Sequence, residues 1–133
     1  MSNQLSQIKW VRVVLTALVV YILSFLTVII IVTTYAGYLG YQARGAPDQT
    51  LITAFANQYA PWLGPISLIL FTFFGATHVA RRVDSALPLH GMILGALASL
   101  VNLIFDGLSL STLAITILTI GAGWLGSKLS NRK

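Results

Sequence analysis

The run VVLTALVVYILSFLTVIIIV, residues 13–32, decides the fold class of this chain. It has no charged side chain, and a helix of about 20 such residues, at 1.5 Å rise each, covers the 30 Å hydrocarbon core of a bilayer. Lys9 and Arg12 precede the run, and no small-x-small cleavage site follows it. The pattern therefore predicts a retained transmembrane helix rather than a signal peptide.

The composition extends this prediction to the rest of the chain. Of its 133 residues, 56% are hydrophobic and only 8% are charged, whereas a soluble domain carries about a quarter charged residues. The mean hydropathy of +0.84 agrees. This length leaves room for a single integral membrane domain, residues 1–133. The absence of cysteine excludes disulfides and thiolate chemistry.

Hydrophobic periodicity divides the chain into five helical segments. The first is expected to end near Gly37 and Gly40, and an amphipathic segment then precedes Pro61. That segment is predicted to lie on the membrane surface or to cover the mouth of the bundle. The fold class predicted is all-α membrane: a four-transmembrane-helix bundle with a short interfacial amphipathic helix between helices one and two. The predicted transmembrane helices span about 10–38, 61–83, 87–105 and 109–126, and the interfacial helix spans about 48–59.

The basic residues are distributed asymmetrically between the two ends of these helices. Only Arg44 falls on one side, and seven fall on the other: Lys9, Arg12, Arg81, Arg82, Lys128, Arg132 and Lys133. Because basic residues favour the cytoplasmic side, this pattern predicts that both termini are cytoplasmic, an N-in/C-in topology. Topology and anionic lipid headgroups explain the net charge of +5 better than nucleic acid does. We therefore expect the lipid bilayer as a partner, and no nucleic acid.

Small and polar residues recur on one face of each predicted transmembrane helix. Lipid tails are as apolar as leucine, so transmembrane helices associate through close packing at small residues and through hydrogen bonds. The alternative is a hydrated path lined by threonine, serine and asparagine. For Asn102 we expect a hydrogen bond to a threonine of helix four or to a backbone carbonyl, with a ligand site as the alternative. The residues predicted to pack helices together are Gly75, Gly91, Gly95, Asn102, Thr116, Thr119 and Gly123.

His78 and His90 are the only histidines and the only candidates for binding a cofactor. They lie on helices two and three, on either side of one turn, so both are expected near the cytoplasmic side. Two such imidazoles are able to ligate a haem iron or, separately, a chlorophyll magnesium. The alternative is that each hydrogen-bonds to a neighbouring helix or reaches the headgroups. We expect neither a cofactor nor a metal site, with haem or chlorophyll as the alternative.

Residues 75–95 read G-A-x-x-V-A-R-R and then L-H-G-x-I-L-G. This stretch resembles a pattern in small four-helix bacterial integral membrane proteins of unknown function. The resemblance covers about the middle third of the chain. It implies a bacterial cytoplasmic membrane and a four-helix topology, and it brings no activity and no site residues.

The sequence contains no catalytic motif and only three carboxylates, so we predict that the protein is not an enzyme. The leading prediction is an accessory or interaction subunit that associates with other integral membrane subunits or with copies of itself. The first alternative is a small oligomeric transporter or channel, because residues 75–83 and 121–129 share a pattern that is typical of a repeated hairpin. The second alternative is a haem- or chlorophyll-binding membrane subunit.

Overall fold

The computed structural model describes residues 8–82 and 87–130 and is all-helical over them. Among these residues three helices, Trp10–Ala43, Gln49–Ala80 and Leu110–Ser130, are long and apolar enough to cross a membrane. The fourth helix, Leu87–Asp106, has a shorter apolar stretch, Pro88–Ile104. The predicted end of the second helix at Val83 and the basic residues Arg132 and Lys133 lie outside the described residues. The four helices are α1 Trp10–Ala43, α2 Gln49–Ala80, α3 Leu87–Asp106 and α4 Leu110–Ser130.

The helices form an antiparallel up-and-down bundle in which α2 and α3 occupy the centre. Both α1 and α4 contact α2 and α3, but in the described part of the chain α1 and α4 do not contact each other. The Arg12 guanidinium donates to the carbonyl oxygen of Arg82 at 2.8 Å, which brings the start of α1 to the end of α2. Lys9 and Arg12 at the start of α1 therefore lie at the same end of the bundle as Arg81 and Arg82 at the end of α2. We call this end of the bundle the basic end.

The first helix ends at Ala43, beyond the predicted end at Tyr38, and it contains Gly37 and Gly40. A glycine inside a helix costs about 1 kcal/mol relative to alanine but does not by itself end the helix. The end is set by Arg44, whose φ of 51° is left-handed. The N–H groups of Arg44 and Gly45 donate to the carbonyl oxygens of Tyr41 and Gly40 at 3.3 and 3.2 Å. This pair of hydrogen bonds is a Schellman motif.

The prediction of a separate interfacial helix is not confirmed, since its residues form the first turns of the continuous helix α2. The Asp48 side chain caps this helix by accepting from the Thr50 N–H at 2.8 Å. Phe55 stacks on Tyr35 of α1, with ring centroids 4.0 Å apart. The apolar face of the segment is therefore covered by α1 only in part, since Leu51 and Tyr59 are 48% and 43% exposed. Pro61, which the sequence favours as a helix start, is accommodated inside α2.

The two hairpins of the bundle differ in length. The helices α1 and α2 have 34 and 32 residues, whereas α3 and α4 have 20 and 21. Gly126 of α4 packs against the backbone of Phe73 in α2. Because both helices rise 1.5 Å per residue, Leu110 lies level with about residue 58 of α2. Residues 33–58, which we call the distal hairpin, thus extend about 15 Å past the α3–α4 turn.

Glycines bring α4 into backbone contact with its neighbours. Gly91 of α3 lies directly against the backbone of Gly123. A Cβ atom added at Gly95 would lie 2.7 Å from the carbonyl oxygen of Thr119, and one at Gly126 would meet the backbone of Phe73. Such close approach of backbones is how helices associate inside a bilayer.

The contact of α1 with the central helices uses a mixed set of side chains. A Cβ atom at Gly75 of α2 would lie 2.9 Å from Cγ2 of Val20. Ser67 Oγ donates to the carbonyl oxygen of Ser24 at 3.4 Å. Two buried clusters complete this contact, one near the basic end and one nearer the middle: Ile8, Val13, Ala17, Val79 and Leu94, and Val20, Leu68 and Ala98.

Candidate functional site

An open groove with a volume of about 990 Å³ lies between α1 and α4, at the end of the bundle opposite the basic end. It exists because α1 and α4 each pack on the central helices without meeting, in the part of the chain that the structure describes. All four helices contribute to its lining, which includes Tyr21, Phe25, Asn57, Pro61, Pro65, Leu68, Asn102, Ser109, Thr112, Ile115 and Leu118.

Asn102 is the contribution of α3 to the groove. The residue is half-buried, and its amide forms no hydrogen bond with any other described residue. A hydrogen bond from Asn102 to a threonine of α4 is not found among the described residues, and Thr112 Oγ1, which also lines the groove, pairs with Ser109 Oγ at 2.7 Å. An amide carries two donors and an acceptor with two lone pairs. Asn102 thus presents a full set of hydrogen-bonding groups toward the groove.

Two prolines of α2 add backbone acceptors to the same groove. A proline has no N–H, so a proline within a helix leaves the carbonyl four residues earlier without its helical donor. Pro61 and Pro65 thereby leave the carbonyl groups of Asn57 and Pro61 without an i+4 partner. Asn57, Pro61 and Pro65 all line the groove. The four-residue spacing of Pro61 and Pro65 in the sequence is the pattern that indicates these two carbonyl acceptors. The stripe of small residues on α2 does not reveal them.

The polar rim of the groove is formed by the start of α4. Ser109 caps this helix, since its Oγ accepts the N–H of Thr112 at 3.1 Å. The Ser109 hydroxyl also pairs with the hydroxyl of Ser111 at 2.8 Å. These hydroxyls are partnered locally, so they form a polar edge. The deeper lining, toward Leu68 and Leu118, is mostly apolar, and the hydroxyl of Ser24 there donates to the carbonyl oxygen of Val20 in its own helix.

The threonines predicted to pack or to line a path lie elsewhere on α4. Thr116 Oγ1 donates to the carbonyl oxygen of Thr112 at 2.9 Å, and Thr119 Oγ1 donates to that of Ile115 at 2.7 Å. Thr119 is fully buried against α3, beside Gly95. Because both hydroxyls are bonded to their own helix, neither threonine is directed into the groove.

The two histidines lie in different environments. His78 is exposed on α2. His90 is fully buried, and its Nε2 accepts the backbone N–H of Lys9 at 3.3 Å. That bond ties the start of α1 to α3 at the basic end. The described residues contain no group of three or more His, Cys, Asp or Glu side chains able to hold a metal ion.

Over the described residues the chain is all-helical, with helices that could span a membrane and a partly polar groove between them. The chain matches no family model, no curated protein and no solved structure.

Proposed function

We propose that this chain is a non-enzymatic integral protein of the bacterial cytoplasmic membrane that works as an interaction subunit. Its helices anchor it in the bilayer, and the distal hairpin contacts another integral membrane subunit or a second copy of the chain. The observation that carries this proposal is the unequal length of the two hairpins, which leaves residues 33–58 extending past the ends of α3 and α4.

The surface of the distal hairpin has the composition of a protein contact. Tyr38 and Tyr41 are 56% and 85% exposed, and the hairpin carries only two charged residues, Arg44 and Asp48. Protein interfaces are enriched in tyrosine and depleted of charge in their centre. A segment that only has to be solvated would not need exposed tyrosines on a nearly uncharged surface.

The small-residue stripes do not supply this contact surface. Gly91, Gly95 and Gly123 already contact one another or their neighbours inside the bundle. The outward faces of the membrane-spanning part carry aliphatic residues such as Leu18 and Ile117, which are 57% and 71% exposed. Lipid tails are sufficient partners for such faces.

We propose that the basic end is cytoplasmic, in an N-in/C-in topology. Lys9, Arg12, Arg82 and Lys128 lie at that end, and Arg44 lies at the tip of the distal hairpin. An excess of basic residues beside the membrane favours the cytoplasmic side. Lys128 also lies over the ring of Trp124, 4.5 Å from its centroid, an arrangement typical of a membrane boundary.

Site-specific photo-crosslinking in native membranes tests the proposal. A photoreactive phenylalanine analogue replaces Tyr41 of the distal hairpin in one protein and Ile117 of α4 in a matched control. Both positions are highly exposed, so accessibility does not distinguish them. We expect a discrete protein adduct from Tyr41, of a partner or of a second copy, and none from Ile117.

The proposal is wrong if Tyr41 and the neighbouring Tyr38 give only lipid adducts while the chain purifies in mild detergent as a monomer without other subunits. A protein adduct from Ile117 alone would also contradict it, since the partner would then contact the lipid-facing surface instead of the distal hairpin.

A further inference from the structure

We infer that the groove between α1 and α4 binds one membrane lipid with an uncharged, hydrogen-bonding head group, such as a diacylglycerol. This inference goes beyond the proposed function, because it concerns a different surface, and Asn57 is the only residue of the distal hairpin that the argument uses.

The polar part of the groove fixes the chemistry of the head group. The Asn102 amide supplies donors and an acceptor, and the carbonyls of Asn57 and Pro61 supply acceptors without helical donors. No charged residue is found among the described residues that line the groove. An ionised head group would find no charged side chain to pair with in this lining, whereas a hydroxyl can donate to a carbonyl and accept from the amide.

The remaining lining fixes how the lipid is oriented. The hydroxyls of Ser109 and Thr112 mark the edge of the groove at the α3–α4 turn, and Asn102 lies about one helical turn inside that edge. Phe25, Leu68 and Leu118 lie deeper and are apolar. A lipid bound here would therefore place its head at the end of the bundle opposite the basic end and its acyl chain along α4.

The size of the groove fits a lipid head group and one acyl chain. The groove has a volume of about 990 Å³, which lies within the range of roughly 300–1,000 Å³ typical of small-molecule sites. A helix of a second copy is the other possible occupant of an open groove, and the Ala114→Cys variant below tests it.

Photolabelling of the full chain in phosphatidylcholine nanodiscs tests this inference. The probe is a diacylglycerol with a diazirine in one acyl chain, and the labelled peptides are identified by mass spectrometry. We expect saturable labelling of residues 21–28 and 111–118 that unlabelled diacylglycerol competes away. A phosphatidylglycerol carrying the same diazirine should label these segments less.

Two variants and one matched control separate the groove from bulk lipid contact. Ala114→Trp fills the groove and should abolish saturable labelling, whereas Ala96→Trp, at an exposed position of α3 outside the groove, should leave it unchanged. Asn102→Leu removes the amide and should weaken probe binding by roughly three- to thirty-fold, the effect of losing one hydrogen bond in a membrane. Size-exclusion profiles identify any variant that fails to fold, and Asn102→Leu then tests the groove without a bulky side chain.

Three results would overturn the inference. One is labelling that spreads evenly over all lipid-facing helices and is the same in Ala114→Trp. Another is equal labelling of the groove by the uncharged and the anionic probe. The third is a disulfide between two copies of Ala114→Cys in this otherwise cysteine-free chain, which would identify a second copy as the occupant.

Discussion

Gly95→Ala tests whether backbone contact between α3 and α4 holds the bundle together. The added Cβ would lie 2.7 Å from the carbonyl oxygen of Thr119 and 2.8 Å from Cα of Ile120, and ordinary contact begins at 3.4 Å. The neighbouring atoms are backbone, so the helices must separate by about 0.7 Å to remove the overlap. Overpacking of this kind costs about 1–3 kcal/mol.

Helix propensity acts in the opposite direction, since alanine is favoured over glycine by about 1 kcal/mol in a helix. We therefore expect Gly95→Ala to lower the free energy of unfolding by up to about 2 kcal/mol. Titration of the reconstituted protein with sodium dodecyl sulfate, followed by tryptophan fluorescence, measures this difference. The change in free energy should appear without a change in the slope of the titration.

Gly121→Ala is the matched control, because nothing lies within 4 Å of a Cβ added at that position of α4. Only the propensity effect applies there, so the free energy of unfolding should rise by up to about 1 kcal/mol. If Gly95→Ala proves as stable as Gly121→Ala, α3 and α4 are not in backbone contact, and glycine packing does not hold the bundle together.

The remaining predictions concern three single substitutions and the topology. Arg44→Gly should raise the free energy of unfolding by up to about 1 kcal/mol, because a non-glycine residue in the left-handed conformation costs about 1–2 kcal/mol. For the same reason Gly107→Ala, at φ 71°, should lower the free energy of unfolding by a similar amount. Thr72→Val should raise it by about 1 kcal/mol, since Thr72 Oγ1 is buried and has no partner among the described residues. The same titration measures all three, and an opposite sign in any of them contradicts its stated cause. For topology, an impermeant maleimide should label Gly45→Cys in intact cells and Lys128→Cys only after permeabilisation; the reverse pattern contradicts an N-in/C-in orientation.

The helices were predictable from the sequence, whereas two of their ends were not. The uncharged run of residues 13–32 is sufficient to predict α1, because only a helix satisfies its backbone within a bilayer. Gly37 and Gly40 favour an earlier end than the one observed. The actual end depends on two hydrogen bonds around Arg44, a residue whose type does not favour the left-handed conformation.

Pro61 shows why the connection between the first two helices was difficult to predict. Proline is common at the first position of a helix, so a new helix starting there is the simplest interpretation of the sequence. The structure keeps Pro61 inside α2 because the residues before it are packed against α1, with Phe55 stacked on Tyr35. Tertiary contact thus overrides a local preference, and no local pattern reveals that contact.

Asn102 illustrates the same limit at the candidate site. Its position on the small-residue stripe of α3 is visible from helical periodicity, and so is its need for a partner. The distance between α1 and α4 determines whether the groove beside Asn102 has room for a ligand as its partner. The residue pattern of a single helix does not determine that distance.

The glycine contacts connect the two proposed surfaces. Gly91, Gly95 and Gly123 bring α4 close to α3, while α1 and α4 do not contact each other in the described part of the chain. The groove is the space that this asymmetric packing leaves. The same packing uses up the small-residue faces, so the proposed protein contact is assigned to the distal hairpin, where α1 and α2 continue as a pair past the ends of α3 and α4.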